Sequence, residues 1–130
     1  MLLDHIEFRV ANASKSLRFY QAALRPLGIE LVISVPPERT ASGGHRHGLG
    51  RDGYPSIWFH DGETPIAPLH IALAVEDRVL VDSFFAAALA AGARDNGAPG
   101  VRTRYHDAYY AAYVLDPDGN NIEVVCQSKS

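Results

Sequence analysis

One carboxylate in the C-terminal half stands where an apolar side chain would be expected. Glu123 lies between Ile122 and Val124, in a short apolar run that follows the Asp-Pro-Asp-Gly sequence of residues 116–119. Proline early in a turn and glycine after it favour chain reversal, so this segment predicts a hairpin. A carboxylate in a largely buried strand is costly unless it is paired or bound to a metal. Glu123 is therefore either an outward residue of an alternating strand or a functional acid.

Two histidines are candidate partners of this acid. Displacing the chain by 65 residues superimposes His5 on His70 and Ile57 on Ile122, and aromatic residues of two predicted helices also coincide. The match predicts two halves of one architecture, in which approximate two-fold symmetry would bring equivalent positions together across a shared cleft. Two imidazoles and the Glu123 carboxylate, with open coordination positions, suit Fe²⁺, Mn²⁺, Ni²⁺ or Zn²⁺. Such an ion would act as a Lewis acid that holds two neighbouring oxygens of a substrate.

A tyrosine-rich segment precedes the strand that would pair with the Glu123 strand. Tyr105, His106 and Tyr110 are candidate catalytic residues, because these side chains orient polar substrates or move protons. Strand alternation sends Tyr109 and Tyr113 to one face and Tyr110 to the other, and one of these faces is predicted to line the cleft. The alternative role for these side chains is packing or a contact between subunits.

The elements that must position these residues follow the same order in both halves. In the first half, Asn12 or Ser14 caps a helix that ends at Pro26 and Gly28. The strands of this half are predicted over residues 3–10, 29–35, 45–49 and 56–60. His45 and neighbouring His47 lie in a Gly-rich stretch and are predicted to be exposed loop residues.

The second half begins after a predicted linker at residues 64–68. Asp77 caps its helix, which continues through Ala91 and ends at Gly92. Its strands are predicted over residues 69–75, 109–115 and 121–125, with residues 95–100 as turn material. Each half is interpreted as a strand, a helix and three strands, which is too small to bury a core alone. The halves are therefore expected to pack together or with another chain.

Length and composition restrict the class of protein. A chain of 130 residues with 47% hydrophobic and 21% charged residues fits one compact domain or two small modules that share a core. The formal charge of −3 and the scattered basic residues disfavour nucleic acid as a partner. No signal peptide is recognised, and no apolar run approaches the roughly 20 residues of a membrane span. The single cysteine, Cys126, excludes an internal disulfide, so we expect a cytoplasmic protein without a membrane partner.

The sequence resembles the vicinal oxygen chelate superfamily, which includes glyoxalase I, extradiol dioxygenases, fosfomycin-resistance thiol transferases and bleomycin-resistance proteins. The resemblance runs from His5 and the Ser-Leu-Arg-Phe-Tyr of the first helix to residues 116–123, its most specific part. It implies an α+β fold of one domain, residues 1–130, made of two tandem βαβββ modules at 1–64 and 68–127. Their curved mixed sheets would surround a cleft, usually within a homodimer. The resemblance also implies metal ligands at His5, His70 and Glu123.

Trp58 departs from the pattern of this superfamily. Glyoxalase-type members use a fourth ligand on the last strand of the first module, and the 65-residue offset puts Trp58 there. An indole nitrogen is only a donor, so lactoylglutathione lyase activity is disfavoured. The resemblance then implies a metal-dependent lyase, isomerase, transferase or dioxygenase acting on a small molecule with vicinal oxygens. The alternative is a metal-free binding protein of the bleomycin-resistance type, in which Trp58 and the tyrosines stack on a flat ligand. A structural dimer without a ligand is the third interpretation.

Overall fold

The computed structural model describes residues 2–66 and 68–129; Ala67, in the predicted linker, and both terminal residues lie outside this part. The described strands are β1 (Ile6–Arg9), β2 (Glu30–Val35), β3 (Arg46–Gly50), β4 (Ile57–His60), β5 (His70–Val75), β6 (Arg94–Val101), β7 (Tyr110–Leu115) and β8 (Asn121–Cys126). The helices are α1 (Ala13–Leu24) and α2 (Arg78–Ala90), with 3₁₀ turns at Arg25–Leu27 and Pro37–Arg39. Neither α1 nor α2, in this part of the chain, is long and apolar enough to cross a membrane.

The strands form two four-stranded sheets, with the orders β1-β4-β3-β2 and β5-β8-β7-β6. β1 runs parallel to β4, and β5 runs parallel to β8. The remaining neighbouring strands are antiparallel. The chain is therefore α+β with two βαβββ modules, as predicted. The 65-residue offset is preserved in the register, since Ile6 pairs with Ile57 and Ile71 pairs with Ile122.

Side-chain caps and a left-handed glycine set the ends of the helices. The Asn12 side chain accepts a hydrogen bond from the Lys15 N–H, so Asn12 rather than Ser14 caps α1. Gly28, with φ of 75°, ends the 3₁₀ turn that follows α1 and donates its N–H to the Arg25 carbonyl. The Asp77 side chain caps α2 in the same way as Asn12 caps α1.

The prediction of turn material over residues 95–100 is wrong, because this segment belongs to strand β6. β6 pairs antiparallel with β7 through an irregular register that changes on both sides of Gly97. Gly97 has φ of 148°, and a Cβ built there would lie 2.8 Å from the Tyr113 ring. The glycines and proline that resemble a turn in the sequence therefore allow a bulged edge strand to lie against a tyrosine.

The prediction that His47 is an exposed loop residue is also wrong. His47 is only 7% exposed, and it lies in β3 opposite Phe59 of β4. Its Nδ1 is 2.8 Å from the Ser34 hydroxyl on β2. Burial, followed by the charge of His45, lowers the pKa of His47 below its ordinary value. The strand predicted at residues 45–49 is present as β3, but the sequence did not indicate that its alternation turns the His47 imidazole inward.

Both modules contribute to one apolar core. Its fully buried side chains include Val10, Leu24, Leu49 and Phe59 from the first module and Val81, Phe84, Val114 and Val124 from the second. A hydrogen bond from the Tyr20 hydroxyl to the buried carboxylate of Asp116 also joins the modules. Truncating Phe59 or Phe84 to alanine would cost about 3–5 kcal/mol of stability. Side chains of β1, β5 and β8 pack into this core. His5 directly precedes β1, His70 begins β5 and Glu123 lies in β8.

Candidate functional site

Glu123 is a buried acid near the start of the last strand. It is 2% exposed and lies in β8 between Ala72 of β5 and Tyr113 of β7, which pair with it from either side. Its Oε1 is 3.1 Å from Nε2 of His70, and its Oε2 accepts a hydrogen bond of 2.5 Å from the Tyr109 hydroxyl. Each carboxylate oxygen therefore has a separate partner, as a buried acid requires.

The second hydrogen bond of His70 fixes which ring nitrogen carries a proton. Nδ1 lies 3.0 Å from the carbonyl oxygen of Asn121, and because a carbonyl only accepts, Nδ1 is the donor. In a neutral imidazole, Nε2 then presents a lone pair to the Glu123 carboxylate. Two acceptors 3.1 Å apart require a proton on one of them or a cation between them. Metal-binding histidines are commonly oriented by such a donation to a backbone carbonyl, so the donor set fits a metal.

Two tyrosines on the same face as Glu123 hold its carboxylate in place. Burial and the hydrogen bond to Glu123 raise the pKa of Tyr109 well above 10. Burial and the charge of Glu123 also raise the pKa of Tyr113. Tyr109 therefore remains a protonated donor at neutral pH, and it occupies Oε2 while leaving Oε1 directed at His70.

Aromatic rings surround the open side of this acid. The His70 ring stacks with the Tyr113 ring at a centroid distance of 6.4 Å, and the Tyr105 ring is 4.7 Å from the Tyr109 ring. Tyr105 is 54% exposed and the His70 side chain is 49% exposed, so both reach solvent. The half-site, which we define as His70, Glu123 and Tyr109, therefore combines a buried carboxylate with an accessible imidazole and an aromatic rim.

The three candidate catalytic residues have different positions relative to the half-site. Tyr105 belongs to its rim, through the contact with Tyr109. The His106 ring lies nearly perpendicular to the Tyr109 ring, with the ring centres 5.6 Å apart. Nε2 of His106, however, forms a hydrogen bond of 2.7 Å with Oε1 of Gln127. Tyr110 points to the opposite face of the sheet, where its hydroxyl donates to Asp82 of α2 at 2.6 Å. The structure thus brings Tyr105 near Glu123 and directs Tyr110 away from it.

Tyr109 and Tyr113, which were not among the candidate catalytic residues, contact the acid instead. The sequence contained the signal that would have selected them. A hairpin closed by the turn at residues 116–120 places Tyr113 directly opposite Glu123, and strand alternation then places Tyr109 on the same face. The hairpin register, in which Tyr113 pairs with Glu123, is what selects Tyr109 and Tyr113 rather than Tyr110.

His5 lies apart from the half-site within the chain. It precedes β1, its side chain is 56% exposed, and its Nδ1 is 2.8 Å from the Asp4 carboxylate. The Ala11 N–H donates to Asp118, so the distal end of β1 lies beside the turn that leads into β8. His5 precedes the other end of β1, six residues from Ala11 and up to about 20 Å away along an extended chain. Within residues 2–66 and 68–129, no group of three or more His, Cys, Asp or Glu side chains is placed to hold a metal ion.

Trp58 lies on β4, the last strand of the first module, where the resemblance implies a fourth ligand in glyoxalase-type proteins. Trp58 pairs with Glu7 of β1, just as Glu123 pairs with Ala72 of β5. The Arg46 guanidinium lies 3.8 Å from the centre of the indole and donates two hydrogen bonds of 2.9 Å to Glu7. His60 also contacts Glu7, at 2.7 Å. This face of the first module therefore consists of an indole and an acid that is already paired.

Comparison with known proteins agrees with this architecture. A model of the Glyoxalase/Bleomycin resistance protein/Dioxygenase superfamily matches residues 2–124. The chain belongs to this superfamily. Both the predicted fold and the resemblance inferred from the sequence are thereby confirmed. A search of curated proteins found no match to the chain.

Solved structures of the superfamily extend over nearly all of this chain. A glyoxalase/bleomycin resistance protein from Albidiferax ferrireducens T118 is 26% identical, with a TM-score of 0.72, and 97% of this chain covers 98% of that one. A glyoxylase/bleomycin resistance protein/dioxygenase domain from Frankia sp. EAN1pec is 16% identical, with a TM-score of 0.74 and 97% coverage of both chains. Glyoxalase I from Zea mays is 17% identical with a TM-score of 0.72, but this chain covers only 45% of its length. These similarities show the fold that the superfamily members share.

Proposed function

We propose that this protein is a metal-dependent lyase, isomerase, transferase or dioxygenase that acts on a small substrate with two neighbouring oxygens. The observation that carries the proposal is the pair formed by His70 Nε2 and Glu123 Oε1 at 3.1 Å. The remaining atoms of both side chains are held by Asn121 and Tyr109, so the two facing atoms are oriented for a shared ion. A divalent metal such as Fe²⁺, Mn²⁺, Ni²⁺ or Zn²⁺ suits one imidazole and one carboxylate with further positions open.

The third ligand in this proposal is His5 of a second copy of the chain. His5 is exposed and lies at the end of β1 that is remote from the half-site of its own chain. In a homodimer with two-fold symmetry, the half-site of each chain would receive His5 of the partner subunit. The dimer would therefore contain two equivalent metal sites. This arrangement uses all three of the ligands that the sequence predicts.

The chain's own side chains have separate tasks in such a site. The bound metal would supply Lewis acidity to the substrate oxygens. Tyr109 donates its hydroxyl proton to Glu123 Oε2 and thereby keeps Oε1 directed at Nε2 of His70, where the two atoms would hold an ion. The rings of Tyr105 and Tyr113 limit the access of water beside the acid and would orient a substrate by contact.

Metal content tests the proposal directly. The purified protein would be incubated with each of the four ions, desalted and analysed by elemental mass spectrometry. We expect about one ion per chain for the wild type and loss of that ion in His70→Ala, because removing one of three ligands weakens a site of this kind severely. His45→Ala is the matched control, since it removes an exposed imidazole outside the half-site. A His70→Ala protein that retains the ion would refute the site.

Mixing two defective variants tests whether the site spans two chains. His5→Ala and His70→Ala would each fail to retain metal alone. After random subunit exchange, half of the dimers would be mixed, and one of the two sites in each mixed dimer would have all three ligands intact. We therefore expect recovery of about one quarter of the wild-type metal content in the mixture. No recovery from a mixture in which exchange is verified would show that His5 does not act across the dimer.

A metal-free binding protein is the second candidate function, and the aromatic rim is the observation that favours it. The rings of Tyr105 and Tyr113 lie beside Tyr109 and His70 of the half-site, and such rings are suited to stacking on a flat ligand. Trp58 is less suited to stacking, because the Arg46 guanidinium lies 3.8 Å from its ring centre, closer than Arg102 lies to Tyr113 (5.3 Å) or Arg104 to Tyr105 (5.0 Å). Failure to retain any of the four ions, together with saturable quenching of tyrosine fluorescence by a flat aromatic ligand, would support this function over catalysis.

A further inference from the structure

A groove of about 450 Å³ lies between the two modules and shares no lining residue with the half-site. One wall is α1, and the opposite wall is formed by the end of α2 and the start of β6. Three basic residues line it: Lys15 and Arg18 on α1, and Arg94 on β6. Leu115 and Pro117 provide apolar surface between them, above the buried ring of Phe19. We call this feature the basic groove.

None of the three cations has an ion-pair partner within residues 2–66 and 68–129. The ion pairs of this part involve other basic residues. Lys15 and Arg18 are three residues apart, which places both on one exposed face of α1. Arg94 pairs with Leu115 in the ladder between β6 and β7, so its backbone position is fixed. Three unpaired positive charges therefore face one concave surface.

Acidic residues beside the basic groove have other partners, among them Asp118, which accepts hydrogen bonds from the Ala11 N–H and the Ser16 hydroxyl. Asp116 forms part of the groove lining but is buried, and it accepts hydrogen bonds from Tyr20 and Asn120. Asp95, next to Arg94 in the sequence, accepts a hydrogen bond from the Gly97 N–H. Asp116 is buried and Asp95 is exposed, and none of these carboxylates forms an ion pair with the three cations. The groove is a local basic surface on a chain whose formal net charge is −3.

We propose that the basic groove binds a small organic anion with two or more negative charges, either a phosphate ester or a polycarboxylate. Two arginines and a lysine provide the directed donors that such anions need. The apolar surface of Leu115 and Pro117 contacts the carbon part of the ligand. The groove also borders the turn that leads into β8, so a bound anion lies against the segment that positions Glu123.

Titration monitored by NMR tests this proposal without requiring any catalytic activity. Pyrophosphate and citrate would be added separately to ¹⁵N-labelled protein at constant ionic strength, with acetate as the singly charged reference. We expect a saturable shift of the Gly92 amide, which lines the groove, with pyrophosphate or citrate and none with acetate. Tighter binding of pyrophosphate assigns the phosphate class, and tighter binding of citrate assigns the polycarboxylate class.

Charge-matched variants distinguish the groove from general attraction to positive charge. Arg18→Gln and Arg94→Gln should each weaken the affinity for the anion by about two- to fivefold, because each removes one exposed ionic contact. Arg39→Gln removes one exposed positive charge outside the groove and should leave the affinity unchanged. The proposal is overturned if Gly92 shows no saturable shift, if Arg39→Gln weakens binding as much as Arg18→Gln, or if Arg18→Gln/Arg94→Gln binds like the wild type.

Discussion

Replacing Tyr109 by phenylalanine removes one hydroxyl from the half-site and leaves the ring. The hydroxyl donates to Glu123 Oε2 at 2.5 Å, and Glu123 is 2% exposed, so water has little access to replace the lost donor. Leaving a buried acceptor without a partner costs about 1–3 kcal/mol of folding free energy. If Glu123 is a ligand, losing the group that orients it should also reduce metal affinity about 10–100-fold. Both effects follow from a single contact.

Tyr110→Phe is the control for this experiment. It removes a hydroxyl from the adjacent residue, whose partner Asp82 is exposed and can exchange the hydrogen bond for water. Its cost should therefore be at most about 1 kcal/mol, with metal affinity unchanged. Urea denaturation of both variants without metal gives the stability difference, and competition with a chelator gives the metal affinities. Equal stability and equal metal affinity of the two variants would refute the argument that Tyr109 positions Glu123.

Two further predictions concern residues whose environment the sequence concealed. Because burial depresses the pKa of His47, the unfolded chain binds a proton more readily, and stability should fall as the pH decreases below 6.5. Denaturant titrations at several pH values should show a weaker fall in His47→Asn, while Ser34→Ala, which keeps the imidazole, should retain it. Gly97→Ala should cost about 1–3 kcal/mol through a strained φ and a clash with Tyr113. Gly100→Ala should cost less in the same denaturation assay, since its Cβ would meet only the flexible end of Arg102.

The sequence was sufficient for the architecture because the strongest signals were local and repeated. The Asp-Pro-Asp-Gly turn, the helix caps and the 65-residue offset each correspond to an observed feature, and the offset recurs in the pairing of Ile6 with Ile57 and of Ile71 with Ile122. Strand β6 escaped prediction because an edge strand tolerates glycine and proline, which local propensity interprets as a turn. His47 escaped because its burial depends on which face of a Gly-rich strand meets the core, and that choice is made by tertiary packing.

Site residues were predictable only where the sequence fixes their register. Glu123 stood out because an acid interrupted an apolar run, and its contact with His70 followed from neighbouring strands of one module. The proposed role of His5 depends on a contact between chains, which neither periodicity nor spacing specifies. The difference between Tyr109 and Tyr110 depends on a shift of one residue, which reverses the face that a strand residue occupies.

The two modules share one register but place their acids on different strands. In the second module the first strand carries Ala72 and the last strand carries Glu123, whereas in the first module the corresponding residues are Glu7 and Trp58. Arg46 binds Glu7 with two hydrogen bonds, and this interaction lowers the pKa of Glu7 and keeps the acid ionised and paired. Glu7 is thus held by a permanent cation of its own module, whereas Glu123 contacts an imidazole and a tyrosine hydroxyl. The metal site proposed above accordingly takes its carboxylate from Glu123 of the second module.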